Sequence, residues 1–382
     1  MTNFRLDRDL RAFGATEVGA SLRGVTAGRC LTSHGETPPW SVSVVISNYN
    51  HGRFLPRCLE AIATQLRLPD EVLLIDDAST DDSVEIATQF AHRLPEFRLI
   101  RHDVNTGVIA TMNHGLAVAR GSHVLFAAAD DWIEPELLKA SMNMIEAFPQ
   151  AGLCSALTAL ATEAGESAGP FRTSLPLRAP GYITPAEACR LLIRDLPWFN
   201  GNTVIINREA VLACGGYRPE LKAYADMFLN TELALRYGAC FIPRFLAVWR
   251  RMNAGYAASL SGNPERLMAA FEAAMHLMTV ANQCVFTSEY VRRWAGRWRY
   301  AAAHSMLAAP PPRRREGLSL MLSPRYRFLA LSAERLARIP WIGVALAVAL
   351  LFASLRPHDF GPVLWRKITW MLHGGRIERA AT

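Results

Sequence analysis

The stretch Gly121 to Glu134, GSHVLFAAADDWIE, decides the fold of this chain. Its apolar run, Val124 to Ala129, leads directly into two adjacent carboxylates, Asp130 and Asp131. An interior strand that ends on paired carboxylates places them at its carboxyl end, where open α/β sheets have their ligand crevice. Charge at the end of a buried strand is costly unless a cation neutralises it. A divalent metal ion that carries a diphosphate would account for the pair.

Other segments repeat this pattern of a short apolar run followed by a polar loop and a helix. The predicted strands are Val42 to Ser47, Glu71 to Ile75, Phe97 to His102, Val124 to Ala129, Ala151 to Leu157 and Thr203 to Ile206. The predicted helices are Leu55 to Gln65, residues 79–92, Gly107 to Ala119 and Arg208 to Ala213, and Ala164 to Pro180 reads as a surface loop. Strands that alternate with helices at this spacing predict βαβ units and a mostly parallel central sheet flanked by helices.

Charge divides the chain into regions. The 382 residues are 51% hydrophobic, which excludes a disordered protein. From Val291 onward there are 16 Lys and Arg against 4 Asp and Glu, whereas the residues before it are net acidic. We therefore predict a loosely ordered extension over residues 1–39, a globular domain over 40–262, and a mainly helical basic extension over 263–382 that forms a separate unit.

The basic extension contains one long apolar run, Ile339 to Leu355, which has 17 residues. This length is at the lower limit for a membrane span, and a buried helix of a helical subdomain is an equal alternative. Together with tryptophans and the cluster Arg313 to Arg315, the run favours contact with an anionic membrane surface. Nucleic acid is disfavoured as a partner because the front domain carries no nucleic-acid motif.

Cysteines and the first residues bear on the compartment. The seven cysteines form no CxxC pair, which fits a reducing compartment. The start of the chain, MTNFRLDRDLRAFG, has no apolar core of a secretory signal. We predict a cytoplasmic protein with peripheral attachment at the inner face of the plasma membrane.

Four polar loops follow four of the predicted strands. They are Ser47 to Asn50, Asp76-Asp77, Asn105 to Gly107 and Asp130-Asp131. Because parallel strands point the same way, these loops gather at one edge and form a pocket suited to a nucleoside diphosphate with its metal. Taken singly, each Asp is as well explained by a turn or a helix cap, and His51 by a solvated loop. The absence of GxGxxG after the first strand and of GxxxxGK[ST] disfavours dinucleotide and P-loop sites.

Ordered blocks of the sequence resemble the family 2 glycosyltransferases, inverting enzymes of the GT-A fold. The blocks are VSVVISNYN, EVLLIDDASTDDS, NTGVIATMNHGLAVARGSHVLFAAADDW and NTVIINREAVLACGGY, and the resemblance covers Val42 to Arg251. It implies a nucleotide-sugar donor, with a UDP-sugar favoured, and a Mg²⁺ or Mn²⁺ ion. The nucleotide-binding positions are Ser47, Tyr49, Asp77, Asn105 and Asp130, and the metal positions are Asp130 and Asp131.

The resemblance also implies a catalytic base, which we assign to Asp226. The block Leu221 to Tyr237 matches the family segment that ends in Glu-Asp and opens a helix, with Ala225 at the Glu position. A carboxylate in a first helical turn could equally be a dipole partner, and Glu232 is the reserve candidate. The chain also departs from the family at Ala128, where many members carry the first Asp of DxD. Trp249 to Arg251 occupies the place of an arginine close to the diphosphate.

These residues predict an inverting, metal-dependent, non-processive glycosyltransferase. It would move one sugar from a nucleotide diphosphate donor to a hydroxyl of a sugar or lipid-linked acceptor, as in surface polysaccharide or glycolipid assembly. Two alternatives stay open. The first is a non-catalytic nucleotide-binding scaffold, consistent with Ala128 and Ala225. The second is a nucleotidyltransferase, although Ser47 to Phe54 has a single glycine where a triphosphate loop is glycine-rich.

Overall fold

The computed structural model of the protein describes residues 40–171, 173–252, 264–282 and 284–307. The strands are β1 (Val42–Asn48), β2 (Glu71–Asp76), β3 (Arg98–Arg101), β4 (His123–Ala128), β5 (Trp132–Ile133), β6 (Leu153–Ala161), β7 (Ser167–Pro170), β8 (Gly181–Ile183), β9 (Ile205–Asn207) and β10 (Ala239–Arg250). The α-helices are α1 (Leu55–Ala63), α2 (Ser83–Phe90), α3 (Val108–Val118), α4 (Leu137–Ala147), α5 (Pro185–Arg194), α6 (Arg208–Ala213), α7 (Ala225–Tyr237), α8 (Pro264–His276) and α9 (Ser288–Leu307). Short 3-10 turns cover Ala91–Arg93, Gly201–Thr203 and Pro219–Tyr224, and a π-helical turn covers Leu277–Ala281.

These strands form one sheet in the order β3-β2-β1-β4-β9-β6-β10-β5, with β7 beside β6 and β8 beside β10. The strands β3, β2, β1 and β4 pair in parallel with one another, and β9 runs antiparallel to both of its neighbours, β4 and β6. Since β6 and β10 again pair in parallel, the predicted mostly parallel sheet flanked by helices is confirmed.

The register of the parallel strands explains why the polar loops meet. Ser47 at the end of β1 lies opposite Ile75 of β2 on one side and Ala128 of β4 on the other. Asp77 follows the end of β2 directly, and Asp130 comes two residues after the end of β4. The sequence expectation that the loops gather at one edge of the sheet is therefore confirmed for β1, β2 and β4.

One predicted loop contains a strand. Within the expected surface loop Ala164 to Pro180, Ser167–Pro170 forms β7 and pairs antiparallel with β6. Its residues are small and none of them is buried, so no alternation of apolar and polar side chains marks the strand. The backbone of β6 supplies the pairing instead.

The basic extension does not begin as a separate unit. Trp294 of α9 is buried, stacks on Phe271 of α8 at 5.6 Å, and donates from its indole nitrogen to the hydroxyl of Tyr224 in the front domain. Trp298 packs edge-on against the same tyrosine at 5.0 Å. The interpretation of all residues after Val291 as a separate unit is therefore wrong for the start of α9, which belongs to the core that supports α7.

The membrane predictions concern a later part of the chain. Ile339 to Leu355 and Arg313 to Arg315 lie outside the described residues. Among the helices that are described, none combines the length and the apolar character of a membrane span. Contact with an anionic membrane stays a prediction, which co-sedimentation of the full chain with anionic liposomes would check.

Candidate functional site

A cavity of about 580 Å³ opens at the carboxyl edge of the sheet. Its size lies within the range of about 300–1,000 Å³ that is common for small-molecule sites. The lining residues come from the ends of β1, β2 and β4, from α3, from the segment before β9 and from the first turns of α7. The cavity thus lies where the sequence placed the ligand crevice.

Every residue that the sequence assigned to the site lines this one cavity. The residues are Ser47, Tyr49, Asp77, Asn105, Asp130, Asp131 and Asp226. Their individual roles stay predictions, but the structure brings them together from positions as far apart as 47 and 226. Glu232, the reserve candidate for the base, does not line the cavity. It is buried and bound by the guanidinium of Arg236 at 2.8 Å, so the structure gives it a different partner.

Asp77 holds the loop between β3 and α3. Its carboxylate accepts hydrogen bonds from the backbone N–H groups of Thr106 at 2.9 Å and Gly107 at 2.7 Å, and it lies 2.7 Å from Nδ1 of His102. Burial opposes ionisation of this carboxyl, but the hydrogen bonds from Thr106, His102 and Gly107 outweigh it and lower its pKa. Asp77 therefore fixes the loop that carries Asn105 at the rim of the cavity.

The lowered pKa of Asp77 predicts a pH-dependent contribution to stability. A carboxyl whose pKa is lower in the folded state stabilises the fold above its unfolded pKa, near 3.9, and loses that contribution as the pH falls through the folded pKa. We expect Asp77→Asn to reduce the free energy of unfolding at pH 6 by about 1–3 kcal/mol, because a charged acceptor of several hydrogen bonds is lost.

The difference from wild type should shrink as the pH is lowered below about 4. Urea denaturation of both proteins between pH 6 and pH 3.5 would measure it. A constant difference across this range would contradict an ionised Asp77 in the fold. Asp103→Asn, at an exposed residue of the same loop, is the matched control.

The two carboxylates after β4 have different surroundings. The Asp130 side chain is 15% exposed and makes no hydrogen bond to any described residue, and Nδ1 of His51 lies 3.9 Å from its Oδ1. Asp131 is buried and accepts from the backbone N–H of Arg250 at 2.9 Å and from the amide of Asn202 at 3.2 Å. Burial and the neighbouring Asp130 raise the pKa of Asp131. Asp130 is thus available to a ligand, whereas Asp131 also ties β10 to the cavity.

Two arginine side chains, Arg250 and Arg57, lie behind this end of the cavity. The Arg250 guanidinium donates to the carbonyl oxygens of Asp130 at 2.9 Å and Glu163 at 2.7 Å. It lies 5.2 Å from the centre of the Trp132 ring, over which the Arg57 guanidinium lies at 3.3 Å. Arg250 therefore braces the backbone of Asp130, and its predicted place close to a diphosphate stays a prediction.

The lining of the cavity is nevertheless rich in carboxylates. Among the described residues that line it, four are aspartates and none is a lysine or an arginine. A diphosphate that enters this space would face uncompensated negative charge. A cation that arrives with the ligand would offset part of this charge.

Asp226 occupies the first turn of α7 and points into the cavity beside Gly201. Its Oδ1 accepts from the backbone N–H of Met227 at 2.6 Å, and burial raises the pKa of its carboxyl. Ala225, at the position of the family's Glu, is buried in the core. A carboxylate with a raised pKa at the surface of a ligand cavity is a better proton acceptor than an ordinary aspartate.

The sequence missed several residues that line the same cavity. They are Val108, Thr111, Met112, Phe126, Asn202, Val204, Ile206, Tyr217, Asn230 and Met252. Most of them sit inside helices or strands, where a core position and a cavity position give the same periodic pattern. Asn230 carries a local signal, because it follows Asp226 by one helical turn, so that two polar side chains share one face of the helix.

Comparisons with known proteins agree with this geometry. Residues 43–169 match the family model "Glycosyl transferase family 2". The chain is 34% identical over 204 residues to "Uncharacterized glycosyltransferase YibD" of Escherichia coli, covering 51% of this chain and 58% of that protein. It is 28% identical over 219 residues to "Uncharacterized protein MT1568" of Mycobacterium tuberculosis, covering 56% and 68%. The match thus spans less than two thirds of the first of these relatives.

A solved structure shows the same fold. Staphylococcus aureus TarS 1–349, in complex with UDP-GlcNAc, superposes with a TM-score of 0.54 at 18% sequence identity, over 81% of this chain and 90% of that chain. At this level of identity the likeness concerns the fold alone, and it confirms the predicted GT-A architecture.

Proposed function

We propose that this protein transfers a single sugar from a nucleotide diphosphate donor to an acceptor hydroxyl, with inversion. The chain belongs to glycosyl transferase family 2 through residues 43–169. The observation that carries the proposal is the cavity in which Asp77, Asp130 and Asp226 meet at the carboxyl edge of the sheet. The donor class we favour is a UDP-sugar, and the acceptor a sugar or a lipid-linked sugar, as in surface polysaccharide or glycolipid assembly.

One part of the cavity is assigned to the nucleoside of the donor. It is bordered by the loop that Asp77 fixes, together with Ser47 and Tyr49. Tyr49 is 45% exposed and offers a ring face to a base. Asn105 lies at the rim of the same part and supplies an amide.

The metal we propose is Mg²⁺ or Mn²⁺, held by Asp130 next to Asp131. The residues fit such an ion in part, because the Asp130 carboxylate has no hydrogen-bond donor among the described residues and His51 lies beside it. The described residues contain no cluster of three or more His, Cys, Asp or Glu that could hold an ion alone. Mg²⁺ is commonly bound by one or two carboxylates plus substrate phosphates, which matches this set. When bound, the ion would offset charge on the leaving diphosphate.

Asp226 is the base in this proposal. It accepts the proton of the acceptor hydroxyl as the oxygen of that hydroxyl bonds to the anomeric carbon of the donor. The bond from that carbon to the diphosphate oxygen breaks on the opposite face, and the electron pair leaves with the diphosphate. The raised pKa of Asp226 supports this assignment, since it favours proton uptake near neutral pH.

Calorimetric titration of UDP, GDP and dTDP into the full-length protein tests the proposal. We expect one nucleotide to bind with Mn²⁺ present and to bind at least tenfold more weakly in EDTA, because the described lining of the cavity holds four aspartates and no lysine or arginine. Binding that EDTA does not change would argue against the metal. Failure of all three nucleotides to bind would overturn the proposal.

Turnover separates the alternatives. A non-catalytic scaffold, for which Ala128 and Ala225 are the evidence, would bind the nucleotide yet release no UDP or GDP from its sugar conjugate, even slowly to water. A nucleotidyltransferase would instead release pyrophosphate from a nucleoside triphosphate and a sugar phosphate. The transferase that we propose releases a nucleoside diphosphate.

A further inference from the structure

We propose that His102 and His114 are positioning residues for the nucleotide, which hold Asp77 from outside the cavity lining and take up one proton when the nucleotide binds. The inference rests on the proposed function and adds two residues that act on its nucleotide site. Neither histidine lines the cavity, whereas Asp77 does. We call His102 and His114 the histidine pair.

The histidine pair forms a straight chain of hydrogen bonds that starts at Asp77. Nδ1 of His102 lies 2.7 Å from Oδ1 of Asp77, and Nε2 of His102 lies 2.8 Å from Nδ1 of His114. The ring planes differ by 8° and the ring centres are 5.1 Å apart, so the facing nitrogens lie on the line between the centres. His102 is itself fixed after β3, because its backbone N–H donates to the carbonyl of Asp76 at 2.8 Å. A change at His114 is therefore transmitted to the Asp77 carboxylate.

The positions of the protons in this chain follow from Asp77. Hydrogen bonds keep its carboxyl ionised, so it can only accept, and Nδ1 of His102 must carry a hydrogen. The neutral ring of His102 then accepts at Nε2, and His114 donates from Nδ1. Nε2 of His114 is left as an acceptor with no hydrogen-bond partner among the described residues. The pair thus has one open position for a proton, at the end away from Asp77.

The same geometry limits the pair to one added proton. A proton on Nε2 of His114 keeps every bond of the chain and adds one positive charge. A second proton would place hydrogens on both of the facing nitrogens and break the 2.8 Å contact between the rings. Imidazole is the side chain that exchanges protons between about pH 5 and 8, so only the first proton matters in that range.

Among the described residues, Asp77 is the charged side chain that contacts the pair. The hydroxyl of Thr106 lies 3.2 Å from Nδ1 of His102 and donates to Asp77 at 2.8 Å. The other charged side chains on β2, on β3, in the loop after β3 and on the 3-10 turn that packs on α3 are Glu71, Asp76, Arg98, Arg101, Asp103, Glu220 and Lys222. Those on the two strands are paired with each other, and the remaining three are exposed. The charge on the pair is therefore coupled mainly to Asp77.

A proton on the pair should strengthen nucleotide binding for two reasons. A charged imidazole donates a stronger hydrogen bond, so His114 polarises His102 and tightens its hold on Asp77, which fixes the loop that carries Asn105. The added charge also offsets part of the negative charge of the four aspartates that line the cavity. The bound state thus holds the proton more firmly than the free state, and nucleotide affinity should rise as the pH falls from 8 to 6.

Calorimetric titration of the full-length protein at pH 6 and pH 8 tests this inference, with Mn²⁺ and whichever of UDP, GDP and dTDP binds. In His114→Asn the amide nitrogen replaces Nδ1 and can still donate to His102, but the side chain binds no proton. We expect its dissociation constant to be within about twofold of wild type at pH 8 and about threefold or more above it at pH 6, as for one charge lost near an anion. The ratio to wild type cancels the effect of pH on the nucleotide and on the metal.

Three further variants complete the test. His92→Asn, at an exposed histidine after α2, is the matched control and should match wild type at both pH values. His102→Leu should weaken nucleotide binding about tenfold at both pH values, because the charged Asp77 loses a donor. His102→Asn, whose amide can replace Nδ1, should restore most of this loss. Circular dichroism shows whether each variant is folded.

The outcomes separate this inference from the proposed function. A ratio for His114→Asn that does not rise between pH 8 and pH 6, or wild-type affinity in His102→Leu, would overturn the role of the pair, while nucleotide binding by the wild type leaves the proposed function intact. If no nucleotide binds to the wild type, the proposed function fails and this inference fails with it.

Discussion

Replacement of Asp226 by Asn should reduce kcat/KM for sugar transfer by about 10²–10⁴-fold, which is the usual contribution of a positioned general base. The amide keeps the size of the side chain and can still accept from the backbone N–H of Met227. It cannot take a proton from the acceptor hydroxyl. The dissociation constant of the nucleotide with Mn²⁺ should stay within about twofold of wild type, because only proton transfer is removed. Single-turnover transfer kinetics and calorimetry measure the two quantities.

The pH profile gives an independent test of the same residue. A base acts when it is ionised, so kcat/KM should fall as the pH drops through the pKa of Asp226. Burial raises this pKa, and the acid limb should therefore lie above the ordinary aspartate value near 3.9. The residual activity of Asp226→Asn should lack this limb. Asp82→Asn, at an exposed residue with no side-chain cap bond at the start of α2, is the matched control. Near-normal turnover in Asp226→Asn would show that another group is the base.

The sequence predicts the site better than it predicts the sheet. Asp130 and Asp226 could be found because each follows a local signal, an apolar strand in one case and a family block at a helix start in the other. β10 escaped notice although it is the longest of the described strands, because Pro243 and Arg244 interrupt its apolar pattern. The structure places a register shift between Ile242 and Phe245, which is where a strand tolerates proline.

The sequence carries a local signal for the start of helix α5. Thr184 and Glu187 form a capping box, with Pro185 at the first position of the helix. By contrast, nothing local predicts that Tyr217 and Asn230 line one cavity. Tyr217 and Asn230 become neighbours of Phe126 only through the long-range packing of α3 and α7 on the sheet, and a single sequence carries no record of such packing. The charge of the tail was misleading for the same reason, since the burial of Trp294 against Tyr224 depends on partners seventy residues earlier.

Replacement of Asp130 by Asn should lower kcat/KM by about 10²-fold at a fixed Mn²⁺ concentration, a loss of about 2.7 kcal/mol of transition-state stabilisation. The Mn²⁺ concentration for half-maximal activity should rise in parallel. The reason lies in the difference between the two carboxylates. Asp130 has no hydrogen bond from a described residue, so an amide there alters only what the cavity offers to a ligand. The measurement is a Mn²⁺ titration of initial rates at donor concentrations below KM.

Asp131→Asn separates the loss of a ligand from damage to the fold. Asp131 accepts from the Arg250 backbone and from Asn202, so its amide must lose or distort one of these buried bonds. We expect a decrease of about 1–3 kcal/mol in the free energy of unfolding for Asp131→Asn and less than about 0.5 kcal/mol for Asp130→Asn. If Asp130→Asn leaves the Mn²⁺ titration unchanged while Asp131→Asn shifts it, the ion is bound by the buried carboxylate. The raised pKa of Asp131 would then reflect a site that ionises when the metal arrives.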